Sequence, residues 1–324
     1  MRLLLKTILL LIWLAAAGCA PGLPEHPRAD SLRAYVAEND TWHFSRHAPV
    51  FVVEEPGRAF NRIGTAAARM TQDGEEVYVD SEQPTLYARK TGFRTARGGY
   101  SNLTYRVHFE KVPATRLGWG KNVGLLVIVT LNESGQPVLF TTLHTCGCYL
   151  AFIPTSYLDE AAFPPGWERG RQKVYGENLP GYIDYGDGSP THHRLHLLLR
   201  KGTHRVVDLW LEDGRTPPGY QSVLAPVKPM KILEGLGLPD GASTSFYETA
   251  GGRRDYVKDS QKPWERLFMS WWAFDWRVGE DKKLGRDRED GILFYTSLKP
   301  WAWAREASDL RNFPVFLQYW GWNL

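Results

Sequence analysis

The chain is poor in cysteine and lacks several motifs that mark common enzymes. Only three of its 324 residues are cysteine, at positions 19, 146 and 148. It has no Cys-x-x-Cys-His sequence, which excludes covalent attachment of a c-type haem. Gly-x-Ser-x-Gly, His-Glu-x-x-His and phosphate-binding glycine loops are absent as well. Motifs therefore assign no reaction to the chain and leave open whether it is an enzyme.

The sequence also lacks an excess of either charge. It has 39 lysine and arginine residues against 36 aspartate and glutamate residues, a formal net charge of +3. No stretch concentrates the basic residues, so we expect no nucleic-acid partner. The apolar run near the start, residues 8–14, is too short to span a bilayer, which needs about 20 residues. With 43% hydrophobic residues, the chain can still form a substantial core.

The first 18 residues have the organisation of a secretory signal peptide. Arg2 and Lys6 give a positive start, the apolar run follows, and small residues precede Cys19. The segment Ala16-Ala17-Gly18-Cys19 resembles the lipobox of bacterial lipoproteins, although that family usually has leucine where Ala16 stands. The resemblance covers this leader only. It implies that Cys19 carries diacylglycerol, together with a fatty acid such as palmitate, after cleavage.

Lipidation predicts a protein tethered to a membrane of the cell envelope. Residues 19–30 contain three prolines, which favour an extended tether. By resemblance to lipoprotein sorting in Gram-negative cells, Ala20 in place of aspartate after the cysteine implies the outer membrane. The alternative is ordinary secretion, with cleavage before Gly18 and a free Cys19.

Beyond the tether, the sequence predicts a mostly β or α+β fold, with antiparallel sheets built from hairpins. Residues 123–131 and 137–143 are apolar and rich in β-branched side chains, and a turn sequence joins them. Residues 193–200 and 203–211 form a second predicted hairpin that turns near Lys201-Gly202. We therefore expect a β-rich domain over residues 31–215.

Residues 216–324 are rich in tryptophan, and we expect this region to pack on the β-rich domain. Eight of the 13 tryptophans lie from position 264 onward. Pro263 suits the first turn of a helix, and apolar residues then recur at helical spacing: Trp264, Leu267, Phe268, Trp271 and Phe274. We interpret this stripe as the core-facing side of one helix. Trp272 and Trp276 widen the stripe and are the candidates for a ligand-binding role.

The best candidate for chemistry is the segment His144-Thr145-Cys146-Gly147-Cys148. Once Cys19 carries lipid, Cys146 and Cys148 are the only thiols left, in a compartment that favours disulfides. Gly147 permits a bend that would bring the two thiols close enough to pair, in a strained bridge. The same bend would aim both sulfur atoms and His144 at one point, a donor set that suits copper(I) or zinc. A disulfide, a metal site and inert buried thiols are the three alternatives.

Three further histidines, His192, His193 and His196, are possible additional ligands. In an extended strand, however, His192 and His196 lie about 13 Å apart and His193 points to the opposite face. The sequence thus favours an envelope lipoprotein with a metal- or redox-active His-x-Cys-x-Cys site. The alternative is a non-catalytic ligand-binding or envelope-assembly module that uses the tryptophan-rich region. The sequence identifies neither a protein partner nor a small ligand.

Overall fold

Strands dominate this computed structural model, which describes residues 31–38, 44–186, 193–213, 220–286 and 291–324. The described strands are β1 (Leu32–Ala37), β2 (Val50–Glu54), β3 (Thr65–Thr71), β4 (Gly74–Asp80), β5 (Leu86–Thr95), β6 (Gly98–Val112), β7 (Gly120–Leu131), β8 (Pro137–His144), β9 (Ala151–Pro154), β10 (Arg171–Val174), β11 (Glu177–Pro180), β12 (His193–Leu199), β13 (Val206–Asp213), β14 (Gln221–Ala225), β15 (Val227–Pro229), β16 (Leu236–Gly237) and β17 (Ser243–Thr244). The described helices are α1 (Pro263–Ala273), α2 (Ala302–Ala307) and α3 (Phe313–Tyr319). The mostly β fold expected from the sequence is confirmed.

Two large sheets enclose the main hydrophobic core. One has the strand order β13-β12-β2-β1-β14, and the other has the order β15-β5-β6-β7-β8-β9. Antiparallel pairs predominate, although β12 with β2, β1 with β14, and β15 with β5 run parallel. Phe51 and Leu197 from the first sheet join Tyr105 and Val127 from the second in one buried cluster. The sheets therefore pack face to face as a sandwich.

The predicted hairpin of residues 123–143 is confirmed as β7 and β8. Its strands are apolar on both faces because both faces are buried. Val127 joins the cluster between the sheets, whereas Leu126 and Ile128 belong to a second cluster on the outer face of the same sheet. The second predicted hairpin is confirmed as β12 and β13, although β13 begins only at Val206.

The C-terminal residues cover the outer face of the six-stranded sheet. Phe294, Phe316 and Trp322 are buried in the second cluster against Leu126 and Ile128. Residues before them join the sheets directly, since β14 pairs with β1 and β15 pairs with β5. No helix in the described part of the chain is long and apolar enough to cross a membrane. This packing brings segments after residue 260 against the end of β8, where the cysteines lie.

Candidate functional site

A tight loop after β8 carries both cysteines. The amide of His144 donates to the carbonyl of Cys148 at 2.9 Å, and the amide of Gly147 donates to the carbonyl of His144 at 2.8 Å. Gly147 has a φ of +95°, a conformation that favours glycine. A Cβ at this position would also collide with the carbonyl oxygen of Tyr295. The bend expected at Gly147 is therefore present, and only glycine fits it.

The two cysteines are free thiols that form a hydrogen bond with each other. Cys146 is buried, whereas Cys148 is partly exposed. The hydrogen bond from Cys148 lowers the pKa of the Cys146 thiol. The same bond, together with burial, raises the pKa of the Cys148 thiol well above its usual value. The pair therefore favours a thiolate on Cys146 and keeps the shared proton on Cys148.

Lys262 places a buried positive charge beside these thiols. Its Nζ forms an ion pair with Oδ2 of Asp281 at 3.3 Å, and both side chains are almost fully buried. Burial opposes the charge on Lys262, but Asp281 and Cys146 outweigh it and hold the pKa of Lys262 well above its ordinary value. After the thiol hydrogen bond, Lys262 is the second influence that lowers the pKa of Cys146. The Thr145 hydroxyl donates to Oδ1 of Asp281 and ties the ion pair to the cysteine loop.

Lys282 holds the backbone of the same loop. Its Nζ donates to the carbonyl of Cys146 at 2.7 Å and lies 4.7 Å from the ring centre of Tyr295. Its amide donates to the carbonyl of Thr145 at 2.9 Å. The amide of Ser297 donates to the carbonyl of Gly147 at 2.7 Å. Two C-terminal segments thus fix the loop from one side, so that the thiols are presented by a rigid frame.

Glu265 brings the first turn of α1 into this charged group. Gly279 leaves room for its carboxylate, since a Cβ on Gly279 would overlap it. Burial raises the pKa of Glu265, against the opposing influence of Lys262. Because Lys262 precedes α1 and Glu265 belongs to its first turn, the start of the helix is electrostatically coupled to the thiols.

His144 does not share a point with the two sulfur atoms in the way the bend suggested. Its Nε2 lies 3.2 Å from the carbonyl of His204, and its ring packs edge-on against Tyr149 at 4.6 Å. Burial, with a contribution from Lys262, lowers the pKa of His144 to about 3, so the ring is neutral. The described residues include no group of three or more histidine, cysteine, aspartate or glutamate side chains placed to hold a metal ion. They offer two thiols here and no third ligand of these kinds, so a copper or zinc site with three such ligands does not fit.

The two other candidate histidines that the structure describes belong to a different sheet from β8. His193 and His196 are on β12, in the opposite sheet, and His192 lies outside the described residues. His196 is buried, and its Nδ1 is 2.8 Å from the hydroxyl of Tyr220 and 3.2 Å from Oε2 of Glu212. These contacts give His196 a structural role in the five-stranded sheet. No observation joins these histidines to the thiols.

The core-facing interpretation of α1 is wrong. The helix has the predicted position, but its apolar stripe faces solvent: Trp271 is 73% exposed, and Trp264 and Phe274 are exposed as well. The partly buried face carries Glu265, Arg266, Met269 and Ser270, and Ala273 is buried. The charged group around Lys262 lies on the side of Glu265, and it holds that side of the helix toward the protein. Trp272 and Trp276 are also exposed, at 40% and 62%.

Sequence reasoning missed the charged partners of the thiols. Lys262, Asp281 and Lys282 lie more than 110 residues after the cysteines, so no local spacing connects them. The run Glu280-Asp281-Lys282-Lys283 was the one available signal, because it places four charges within an otherwise aromatic region. Three of those four side chains, Glu280, Asp281 and Lys282, are buried. A buried charge must find a partner, and here the partners surround the thiols.

No protein-family model matches the chain, and neither a search of curated proteins nor a search of solved structures gives a match. Two surface cavities, of about 530 and 560 Å³, lie elsewhere: one at Ser31 and residues 55–58, the other between the ends of β5 and β7. Neither is lined by a cysteine. The chemistry of the thiol loop therefore carries the functional argument.

Proposed function

We propose that the protein is a lipid-anchored envelope protein that exchanges disulfides with thiols of other envelope molecules through Cys146 and Cys148. The observation that carries this proposal is the asymmetry of the pair. The thiol with the lowered pKa, Cys146, is buried beside Lys262, and the thiol with the raised pKa, Cys148, is the partly exposed one. Thiol–disulfide exchange requires one accessible sulfur atom and one stable leaving thiolate. The loop supplies each of these on a different cysteine.

In the oxidised protein, a Cys146–Cys148 disulfide would be attacked at the more accessible sulfur. An incoming thiolate forms a bond with Sγ of Cys148, the bond between Cys146 and Cys148 breaks, and its electron pair stays on Cys146. Lys262 stabilises that thiolate, and a leaving thiol of low pKa leaves faster. The product is a mixed disulfide between the incoming molecule and Cys148.

A second thiolate of the incoming molecule completes the exchange. It attacks the sulfur of its own molecule in the mixed disulfide, which closes a disulfide there and releases Cys148 as a thiolate. Cys148 then takes up one proton and donates it in the hydrogen bond to Cys146. The incoming dithiol is oxidised by two electrons and the protein is reduced by two. The same steps in reverse, with a protein disulfide as oxidant, regenerate the Cys146–Cys148 bridge.

The geometry favours exchange over metal binding. His144 directs its Nε2 to a backbone carbonyl, and the described residues offer no third ligand of the histidine, cysteine or carboxylate kinds. The charge of Lys262 also opposes the approach of a cation while it favours a thiolate. Stabilisation of the reduced form makes a dithiol pair an oxidant, as in other envelope oxidoreductases.

The asymmetry can be tested with glutathione disulfide and mass spectrometry of the reduced full-length mature chain. The parent protein should end as an intramolecular disulfide without retained glutathione. Cys146→Ser should retain one glutathione on Cys148, because the resolving thiol is missing. Cys148→Ser should react at least about tenfold more slowly, because the remaining thiol is buried.

Two outcomes would contradict the proposal. Either both thiols stay reduced in excess glutathione disulfide, or the protein purified without chelator contains one metal ion per chain that is lost in the Cys146→Ser, Cys148→Ser variant. The second outcome would restore the metal interpretation of the loop. The double variant is the matched control for oxidation at any other site.

The lipid anchor is tested separately. Membrane-extracted protein should begin with a lipid-modified Cys19, and Cys19→Ala should be released from repeatedly washed membranes because the acyl chains are lost and any interfacial contact is reversible. Mass spectrometry of the amino terminus and fractionation of the two proteins provide the readouts. An unmodified terminus at Gly18 would show ordinary secretion instead.

A further inference from the structure

An unusually large share of α1 consists of apolar side chains that face solvent. Five side chains at positions i, i+3, i+4, i+7 and i+8 form one continuous stripe along the helix: Trp264, Leu267, Phe268, Trp271 and Trp272. We call this stripe the aromatic face. Leu267 and Phe268 are 61% and 58% exposed, and Trp271 is 73% exposed. In a typical surface helix of a soluble domain, this stripe would point to the core.

The aromatic face continues beyond the end of α1. Phe274 is 70% exposed and Trp276 is 62% exposed. The guanidinium group of Arg305, in α2, donates to the carbonyls of Ala273 and Phe274, which ties α2 to the end of α1. Trp301 and Trp303, at the start of α2, are exposed by 62% and 67%. Exposed aromatic side chains of α2 therefore lie on a helix that contacts the end of α1, and together they exceed the scattered apolar residues of an ordinary surface.

From this surface we infer that α1 and α2 dock on a phospholipid bilayer and insert their aromatic side chains into the headgroup region. Exposures of 58–73% at Leu267, Phe268 and Trp271 show that the centre of the aromatic face projects from the surface instead of lining the walls of a groove. A projecting apolar helix suits a fluid, deformable surface. Tryptophan, phenylalanine and leucine on one helix face, with arginine or lysine beside them, are typical of interfacial helices.

The charges around the aromatic face suit anionic headgroups. Arg266 lies over the ring of Trp276 at 3.7 Å, and Arg305, within α2, donates to the carbonyl of Lys299, which precedes that helix. All three side chains are partly exposed. Cationic side chains beside an inserted helix add electrostatic attraction to an anionic bilayer.

The length of the tether makes the contact possible. Residues 19–30 precede the first described residue, Ser31, and 12 extended residues reach roughly 40 Å. A lipid on Cys19 would thus keep the domain within one domain diameter of the bilayer. The choice of a bilayer as the occupant rests on the anchor proposed above, so the test uses protein that lacks the anchor.

The experiment measures binding of the mature chain with Cys19→Ala to vesicles of phosphatidylethanolamine and phosphatidylglycerol, by co-sedimentation and tryptophan fluorescence. The protein should bind with a blue-shifted emission, and phosphatidylcholine vesicles should bind it less. Trp271→Glu should weaken binding at least about tenfold, because a carboxylate replaces the most exposed side chain of the face. The matched control is Leu224→Glu, which introduces the same charge at a 62% exposed residue of β14 and should bind as the parent does.

Two results would overturn the inference. One is equal vesicle binding by the Trp271→Glu variant and its parent. The other is absence of vesicle binding together with a concentration-dependent dimer that Trp271→Glu dissociates, which would assign the face to a second copy of the chain. Both results are independent of lipidation, since failure of the anchor shows only in the fractionation of Cys19→Ala. Circular dichroism checks that the variants are folded.

Discussion

Acidification from pH 8 to pH 5 is expected to lower the free energy of unfolding, because each of three buried neutral histidines contributes about 2 kcal/mol that is lost over this range. Burial lowers the pKa of His144 and of His204 to about 3, and it lowers the pKa of His108 well below 6.5. The unfolded chain binds protons near pH 6.5 at these residues, whereas the folded chain stays neutral. Stability is therefore complete above pH 6.5 and is lost as the pH falls toward the folded pKa values.

The contacts of these rings explain why the folded protein resists protonation. Nε of Arg106 donates to Nε2 of His108 at 2.9 Å, so protonation there would remove an acceptor and place two cations together. The ring of His204 stacks on Phe109 with centres 4.0 Å apart, and its Nε2 lies 2.8 Å from the carbonyl of Phe60. Its Nδ1 has no hydrogen-bond partner among the described residues. A proton on either ring would be buried without compensation.

Urea unfolding at pH 8 and pH 5 provides the measurement. The pKa values of Glu265 and Glu280 are raised by burial and shift stability in the opposite direction, so a variant is needed to isolate the histidine contribution. His144→Gln should reduce the difference between the two pH values by about 2 kcal/mol, whatever its effect on stability at pH 8. Equal stability of the parent protein at both pH values would show that these rings take up protons in the folded state as readily as in the unfolded chain.

The sequence predicted the strands and the helix whose residue pattern depends only on their immediate environment. The strands β7 and β8 are apolar on both faces because two clusters enclose them, and the pattern alone indicated a buried hairpin. Pro263 and the helical spacing that follows located α1. Periodicity shows which residues share a face, but it does not show which face points inward. For α1 that choice follows from Lys262 and Asp281, whose pairing no local pattern reveals.

As with the fold, the sequence predicted only those parts of the candidate site that depend on neighbouring residues. Cysteine counting and Gly147 located the thiol pair and its bend, since both depend on neighbouring residues. The position of His144 was harder to predict because the strand ends there and the thiols lie in a loop. His144 is the last residue of β8, and its ring places Nε2 3.2 Å from the carbonyl oxygen of His204. The charge that polarises the thiols comes from distant segments, which only the packing of the C-terminal region brings together.

Replacement of Lys262 by methionine is expected to lower the free energy of unfolding by about 3–5 kcal/mol, because Asp281 would remain buried without its counter-ion. The same change should raise the pKa of Cys146, since the thiolate loses the cation that favours it. Reduction of the Cys146–Cys148 disulfide by glutathione should then slow, because Cys146 becomes a poorer leaving group, and the pH at which the thiol of the reduced protein ionises should move upward. Urea unfolding, the rate of that reduction and a pH titration of the reduced thiols measure these effects.

A second substitution separates the two roles of Lys262. In Lys262→Met, Asp281→Asn the unpaired buried charge is gone, so stability should recover in part, whereas the pH profile of the thiol should stay shifted. Lys258→Met is the matched control. Nζ of Lys258 donates to the Thr244 hydroxyl at 2.8 Å, and its ion pair with Glu75 is partly exposed, so its loss should cost only about 0–1 kcal/mol. An unchanged reduction rate and an unshifted thiol titration in Lys262→Met would show that Lys262 stabilises the fold without stabilising the Cys146 thiolate, and the exchange mechanism would lose its leaving-group argument.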